Sequence, residues 1–177
     1  MAEARYVFET VVSTADEPAL PDDTGASAAV WAETLAYFKA RSIQQKNLGS
    51  IIIGADTVVA HSGLILGKPA DELDARRILT TLFKGRNEVI TGIAVMAPEP
   101  PRLRIAHVST TLTLRSINPD EVEAYLASGA WRDKAGAYAI QEGGDRFVES
   151  IEGSHSNIVG LPMEKLAELL EVYQVVN

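Results

Sequence analysis

An aspartate interrupts an otherwise apolar run, Ser50-Ile51-Ile52-Ile53-Gly54-Ala55-Asp56-Thr57-Val58-Val59-Ala60. A carboxylate inside such a strand is expensive unless it is paired, bound to a metal or placed at the wet end of the strand. Asp56 is therefore either a strand-end cap on a turn or a carboxylate kept for chemistry. Lys68, in Gly67-Lys68-Pro69, is either a solvated turn lysine or an ammonium that a rigid turn holds over a phosphate. Lys39 lies at the edge of a helical apolar stripe, where a lysine faces water or an anion. In Asp133-Lys134-Ala135-Gly136-Ala137-Tyr138-Ala139-Ile140-Gln141, small residues beside Lys134 allow a ligand or another backbone to approach closely. The Gln141 amide both donates and accepts, so it can read a base edge. The Gly153–Pro162 segment is rich in glycine and polar groups, and a packed turn before a helix explains it equally well.

Other chemistries are missing from the sequence. His61, His107 and His155 are far apart and show no metal-ligand spacing. No Walker A loop, G-x-S-x-G elbow, G-x-G-x-x-G fingerprint or H-E-x-x-H pair occurs. With no cysteine, there is no disulfide framework, thiolate nucleophile or Cys-built zinc site. Sixteen Lys and Arg against 24 Asp and Glu leave a net charge of −8 over 177 residues. Such a surface repels nucleic-acid backbones but leaves room for one local cationic pocket. Met1-Ala2-Glu3-Ala4-Arg5 has neither a basic nor an apolar leader region, and no apolar run approaches a bilayer span. The expectation is a cytoplasmic protein without nucleic-acid or membrane partners.

The elements that must position these residues follow from periodicity. Tyr6–Val12 has the bias of a strand, and 16–27 reads as a loop. Trp31, Leu35 and Phe38 recur at helical spacing and predict a helix over 26–45. The run around Asp56 predicts a central strand, His61-Ser62-Gly63 a turn, and Leu64–Leu66 a short second strand. Ala75, Ile78, Leu79, Leu82 and Phe83 mark an amphipathic helix that Gly85 closes. Strands follow over 88–96 and 104–114, the second with clean alternation. Asn118-Pro119-Asp120-Glu121 starts a helix that ends at Gly129. Two short strands around Ala137–Gln141 and Phe147–Ile151, a loop to Pro162 and a last helix complete the chain. The class is α/β or α+β with a mixed sheet.

Six ordered segments together are far more specific than any one. They are Ala36–Ala40, Gly54-Ala55-Asp56-Thr57-Val58-Val59, Leu66-Gly67-Lys68-Pro69, Glu88-Val89-Ile90-Thr91-Gly92, Asp133–Gln141 and Asn157-Ile158-Val159-Gly160-Leu161-Pro162. In order and spacing the chain resembles the Maf family of nucleoside triphosphate pyrophosphatases, over nearly its whole length from Phe8 onward. The resemblance implies one domain over 1–177 in an inosine-triphosphatase-like fold, an elongated mixed sheet flanked by helices, with two lobes and a central cleft. It implies hydrolysis of dTTP or UTP to the monophosphate and pyrophosphate with Mg or Mn, and a homodimer. Asp56 matches the family's proton acceptor and Lys39 and Lys68 its phosphate-contacting lysines. Thr57 and Gln141 match positions tied to base choice, Glu17 an acidic loop residue, and Lys134 falls in the substrate-binding segment. The family opens with S-x-S-P-R-R, and Met1–Glu9 resembles the end of the helix that follows it. That implies either an internal methionine of a longer reading frame or a shortened protein, and for the chain as it stands weak or no hydrolysis and exposed core surface. The alternative reading is a nucleotide-binding, regulatory protein of the same family, linked to cell division.

Overall fold

The computed structural model describes residues 6–13, 15–16, 18, 27–44, 46–47, 49–98, 102–138, 140 and 144–173. Among the described residues, five strands form one sheet in the order β2-β1-β3-β4-β5. They are β1 (Ile52–His61), β2 (Leu64–Leu66), β3 (Arg86–Ala97), β4 (Arg102–Leu114) and β5 (Val148–Glu152). The helices are α1 (Ala28–Gln44), α2 (Glu72–Leu82), α3 (Pro119–Ser128), α4 (His155–Val159) and α5 (Met163–Glu171). The α/β class therefore stands. Where a mixed sheet was expected, every pairing among the described strands is antiparallel.

The strand around Asp56 is internal over only part of its length. β1 pairs with β3 from Ile52 to Ala60, but with β2 only from Val59 to His61. Ser62 and Gly63, both at positive φ (49° and 81°), make the two-residue turn between β1 and β2. Among the described residues, the outer edge of β1 from Ile52 to Val58 carries no strand partner.

Alternation along β1 and β3 divides the core between two faces. Val58, Ala60 and Ile90 pack under Trp31 and Leu35 of α1, and Ile52, Ala94 and Met96 under Ala36 and Ala40. The other face holds two separate clusters. One joins Val59 and Val89 to α2, α3 and the aromatic group Phe83, Tyr125 and Phe147. The second joins Ile93 and Val95 to Leu166, Leu169 and Leu170 of α5.

Capping at the starts of α2 and α3 follows their sequences. Asp71 accepts from the Asp74 N–H at the start of α2. Asn118 and Glu121 complete a reciprocal capping box on α3, and Gly129, at φ 71°, ends it.

Three sequence expectations change. Tyr6–Val12 forms no strand; Tyr6–Val11 runs along a groove shared with Ile51, Ile53, Leu161 and Leu170, and Val7 and Val12 are exposed. β-Propensity describes a side chain's fit to a pleated surface and needs a partner strand to be realised. Of the strand expected around Ala137–Gln141, the described residues form none: Ala137 ends a tight helical turn, Ala135–Ala137, with Gly136 at φ 70° and Ala137 at φ 55°, and Ala139 and Gln141 lie outside the described residues. The Gly136 N–H donates to the Gly67 carbonyl at 3.0 Å, and a Cβ there would press on Val59 and Leu82. The 153–162 loop contains α4, whose single turn is too short to show periodicity; Ser154 caps its start and Gly160, at φ 110°, its end. Among the described residues, no helix is long and apolar enough to cross a membrane.

Candidate active site

Asp56 and Thr57 are consecutive, so β1 turns them to opposite faces at the open edge of the strand. Asp56 faces α1. There the Lys39 ammonium donates to its Oδ1, and the two side chains are 23% and 11% exposed. Two glycines make that reach possible. A Cβ on Gly54 would be driven into the Ala36 carbonyl oxygen, and one on Gly92 into the Ala32 backbone. With both absent, α1 lies directly on β1 and β3, so Lys39, one residue before buried Ala40, meets Asp56, two residues past Gly54.

A cavity of about 300 Å³ opens around this edge. Lys39, Asp56, Thr57, Lys68 and Lys134 all line it, although they come from a helix, a strand and two loops. Lys68 follows β2 in the segment that the Gly136–Gly67 hydrogen bond ties down. Glu17 and Gln141, the other two expected site residues, lie outside the described residues.

Behind Thr57 the wall is polar and buried. The Thr57 and Thr91 hydroxyls are 2.8 Å apart, and Thr91 Oγ1 donates to the Asn157 carbonyl at 3.1 Å. Asn157 Nδ2 donates to the Val89 carbonyl and to Thr110 Oγ1, each at 2.9 Å. Its Oδ1 is buried and has no hydrogen-bond partner among the described residues. Ser154 and Ser156 both donate to Glu164 Oε2, at 3.1 and 2.9 Å, and so tie α4 to α5. Those bonds, with the Glu164 backbone N–H first among the causes, hold the Glu164 carboxyl below the usual range.

Tyr138 closes another side, donating to the Gly144 carbonyl at 2.5 Å. Burial first, then the charges of Tyr125 and Asp145, pushes its phenol well above the usual range, so it stays neutral. Asn87, almost fully buried, donates to the carbonyls of Leu82 and Gly85 at 2.9 Å each and contacts His61 Nδ1 at 2.8 Å.

Asp133, Asn87, Tyr138, Thr91 and Asn157 had no role assigned from sequence. Thr91, Asp133, Tyr138 and Asn157 fall inside the segments singled out there, but a buried hydrogen-bond partner leaves no periodic signal. The histidines stay apart, His61 on Asn87 and His107 on Glu33 at 2.8 Å. Among the described residues, no group of three or more His, Cys, Asp or Glu could hold a metal ion.

A cleft lined by three lysines and two aspartates, beside a wall of hydrogen-bonding groups, has the size and local charge to take a small polyanion. The description "Maf-like protein" belongs to the family whose profile matches residues 1–173. The dTTP/UTP pyrophosphatase of Alkaliphilus metalliredigens is 43% identical over 171 residues, covering 96% of this chain and 87% of the relative. The dTTP/UTP pyrophosphatase of Geotalea uraniireducens is 40% identical over 170 residues (96% and 86%), and that of Geobacter sulfurreducens 40% over 168 (95% and 86%). The chain belongs to the Maf family.

Proposed function

We propose that this protein hydrolyses the anhydride between the α- and β-phosphates of dTTP and UTP, giving the nucleoside monophosphate and pyrophosphate. The observation that carries this reading is the convergence of Asp56, Lys39 and Lys68 on one cavity at the open edge of β1. Its activity is the one named for the relatives, at 40–43% identity.

In this mechanism, Asp56 accepts the proton of the attacking water. Lys39 holds the carboxylate in place, and Lys68 adds a positive charge that attracts and positions the polyphosphate. Thr57, Lys134, Gln141 and Glu17 contribute to binding the nucleotide.

A divalent cation fits the donor set. Asp56 and Asp133 both line the cavity, and the described residues build no closed cage of protein ligands. Mg²⁺ and Mn²⁺ suit hard oxygen ligands, and Mg²⁺ is commonly held by one or two carboxylates plus substrate phosphates. Asp56 and Asp133 would hold the ion, which supplies further neutralisation of phosphate charge.

Pyrophosphate release from dTTP, UTP and CTP with Mg or Mn tests the proposal. Asp56→Asn is expected to lower kcat about 10²–10⁴-fold with folding intact. Nucleotide binding without turnover in the unmodified protein would replace the enzyme by a regulatory binding module. The homodimer implied by the family resemblance belongs to the proposal and is checked by sedimentation.

A further inference from the structure

The hydroxyl pair between Thr57 and Thr91, 2.8 Å apart, lets either oxygen donate when taken alone. The next link removes that freedom. Thr91 Oγ1 lies 3.1 Å from the Asn157 carbonyl oxygen, which has no proton to give. Thr91 is fully buried and owns one hydroxyl proton. Spent on Thr57, that proton would leave two buried oxygens facing each other with no hydrogen between them. Spent on Asn157, it satisfies the carbonyl, whose other lone pair takes the Gly160 N–H at 3.0 Å. Asn157 is itself anchored, since its amide bonds Val89 and Thr110. The proton order is therefore fixed: Thr57 donates to Thr91, and Thr91 to Asn157.

We infer that Thr91, acting with the Asn157 carbonyl, makes Thr57 an obligatory hydrogen-bond acceptor toward the cavity. The ligand group opposite Thr57 is then a donor. Opposite ring position 3, uracil and thymine offer that donor as N3–H, whereas cytosine presents a lone pair there and carries its donor on the 4-amino group. This rests on the cavity being the nucleotide site, as proposed above. Thr91 is a positioning residue that sets specificity through Thr57.

The test compares kcat/KM for UTP and CTP, and UMP and CMP binding by calorimetry, in the full chain and in Thr91→Val, Thr91→Ser and Thr57→Val. The unmodified protein is expected to prefer UTP. Thr91→Val frees the Thr57 hydroxyl to turn and donate, so the UTP:CTP ratio falls about tenfold or more. Thr91→Ser keeps the hydroxyl and the preference. A ratio within about twofold of the original in Thr91→Val, or equal losses on both nucleotides, overturns the inference. Should Thr91→Val fail to fold, Thr57→Val decides, because that side chain is partly exposed. It must weaken UTP and UMP about fivefold or more beyond any loss on CTP and CMP, and equal losses overturn the inference. An unmodified protein that neither turns over UTP nor binds UMP overturns the cavity assignment and this inference together. Intact UTP turnover with an unchanged ratio in Thr91→Val overturns the polarity alone.

Discussion

Gly54 sits so close beneath Ala36 that a Cβ on it would lie 2.3 Å from the Ala36 carbonyl oxygen. A methyl group there meets the Ala36 carbonyl oxygen, the Ala40 nitrogen and the Ala40 Cβ, none of which can swing aside as the end of a flexible side chain could. Gly54→Ala is expected to destabilise the fold by about 1–3 kcal/mol. It also lifts α1 from the sheet and draws Lys39 away from Asp56. Denaturant unfolding gives the first effect, and a drop in kcat of the folded fraction gives the second. Unchanged stability would show that the helix is not seated this tightly.

Lys68 has a different place from Lys39. It lines the cavity from the segment after β2, while Lys39 contacts Asp56 directly. Lys68→Ala is expected to raise KM about tenfold or more for triphosphates, with less effect on kcat, because it removes attraction for the bound polyanion. Lys39→Ala removes the Asp56 partner and lowers kcat more than it changes KM. Identical kinetic profiles for the two variants would remove this division of roles.

Asn157 is fully buried and serves two acceptors, the Val89 carbonyl and Thr110 Oγ1. Asn157→Ala removes both of these buried bonds, although Thr110 Oγ1 keeps its bonds to Ser154, and is expected to cost about 1–3 kcal/mol. Chemical denaturation measures the loss, and a change below a few tenths of a kcal/mol would contradict the network described.

Glu121 gives a pH dependence with a defined sign. Hydrogen bonds from Arg115, then from the Asn118 backbone N–H, lower its carboxyl from an ordinary 4.5 to about 2. A depressed acid contributes stability that is fully present above the ordinary value and is lost as pH falls through the folded one. The window for this group is therefore about pH 4.5 down to about 2. The stability gap between the unmodified protein and Glu121→Gln should be steady at neutral pH and close across that window. Thermal melts in a pH series follow it, and a gap that persists at the acid end would assign it to some other cause.

Much of this architecture was legible in the sequence. Periodicity located α1, β1, α2, β3 and β4 because each buries one face or both along a regular repeat. Asp56 stood out because a carboxylate in an apolar strand needs compensation, and Asn118-Pro119-Asp120-Glu121 announced a capped helix start that the structure reproduces. The tight turn at Ala135–Ala137 escaped because small residues favour close approach without dictating which backbone they approach. Tyr6–Val12 has strand-forming residues, yet strand formation is a property of a pair.

Local chemistry along the chain thus determined which groups exist and which segments repeat with helical or alternating period. Three-dimensional packing decided which of them meet. Lys39 reaches Asp56 only because two glycines let a helix lie against bare backbone, a contact spanning 17 positions in the sequence. The Thr57 hydroxyl gains its direction only from Thr91 and from a carbonyl of α4, 66 positions beyond Thr91. Hydrogen-bond direction belongs to a closed network of partners, and no single residue type carries it.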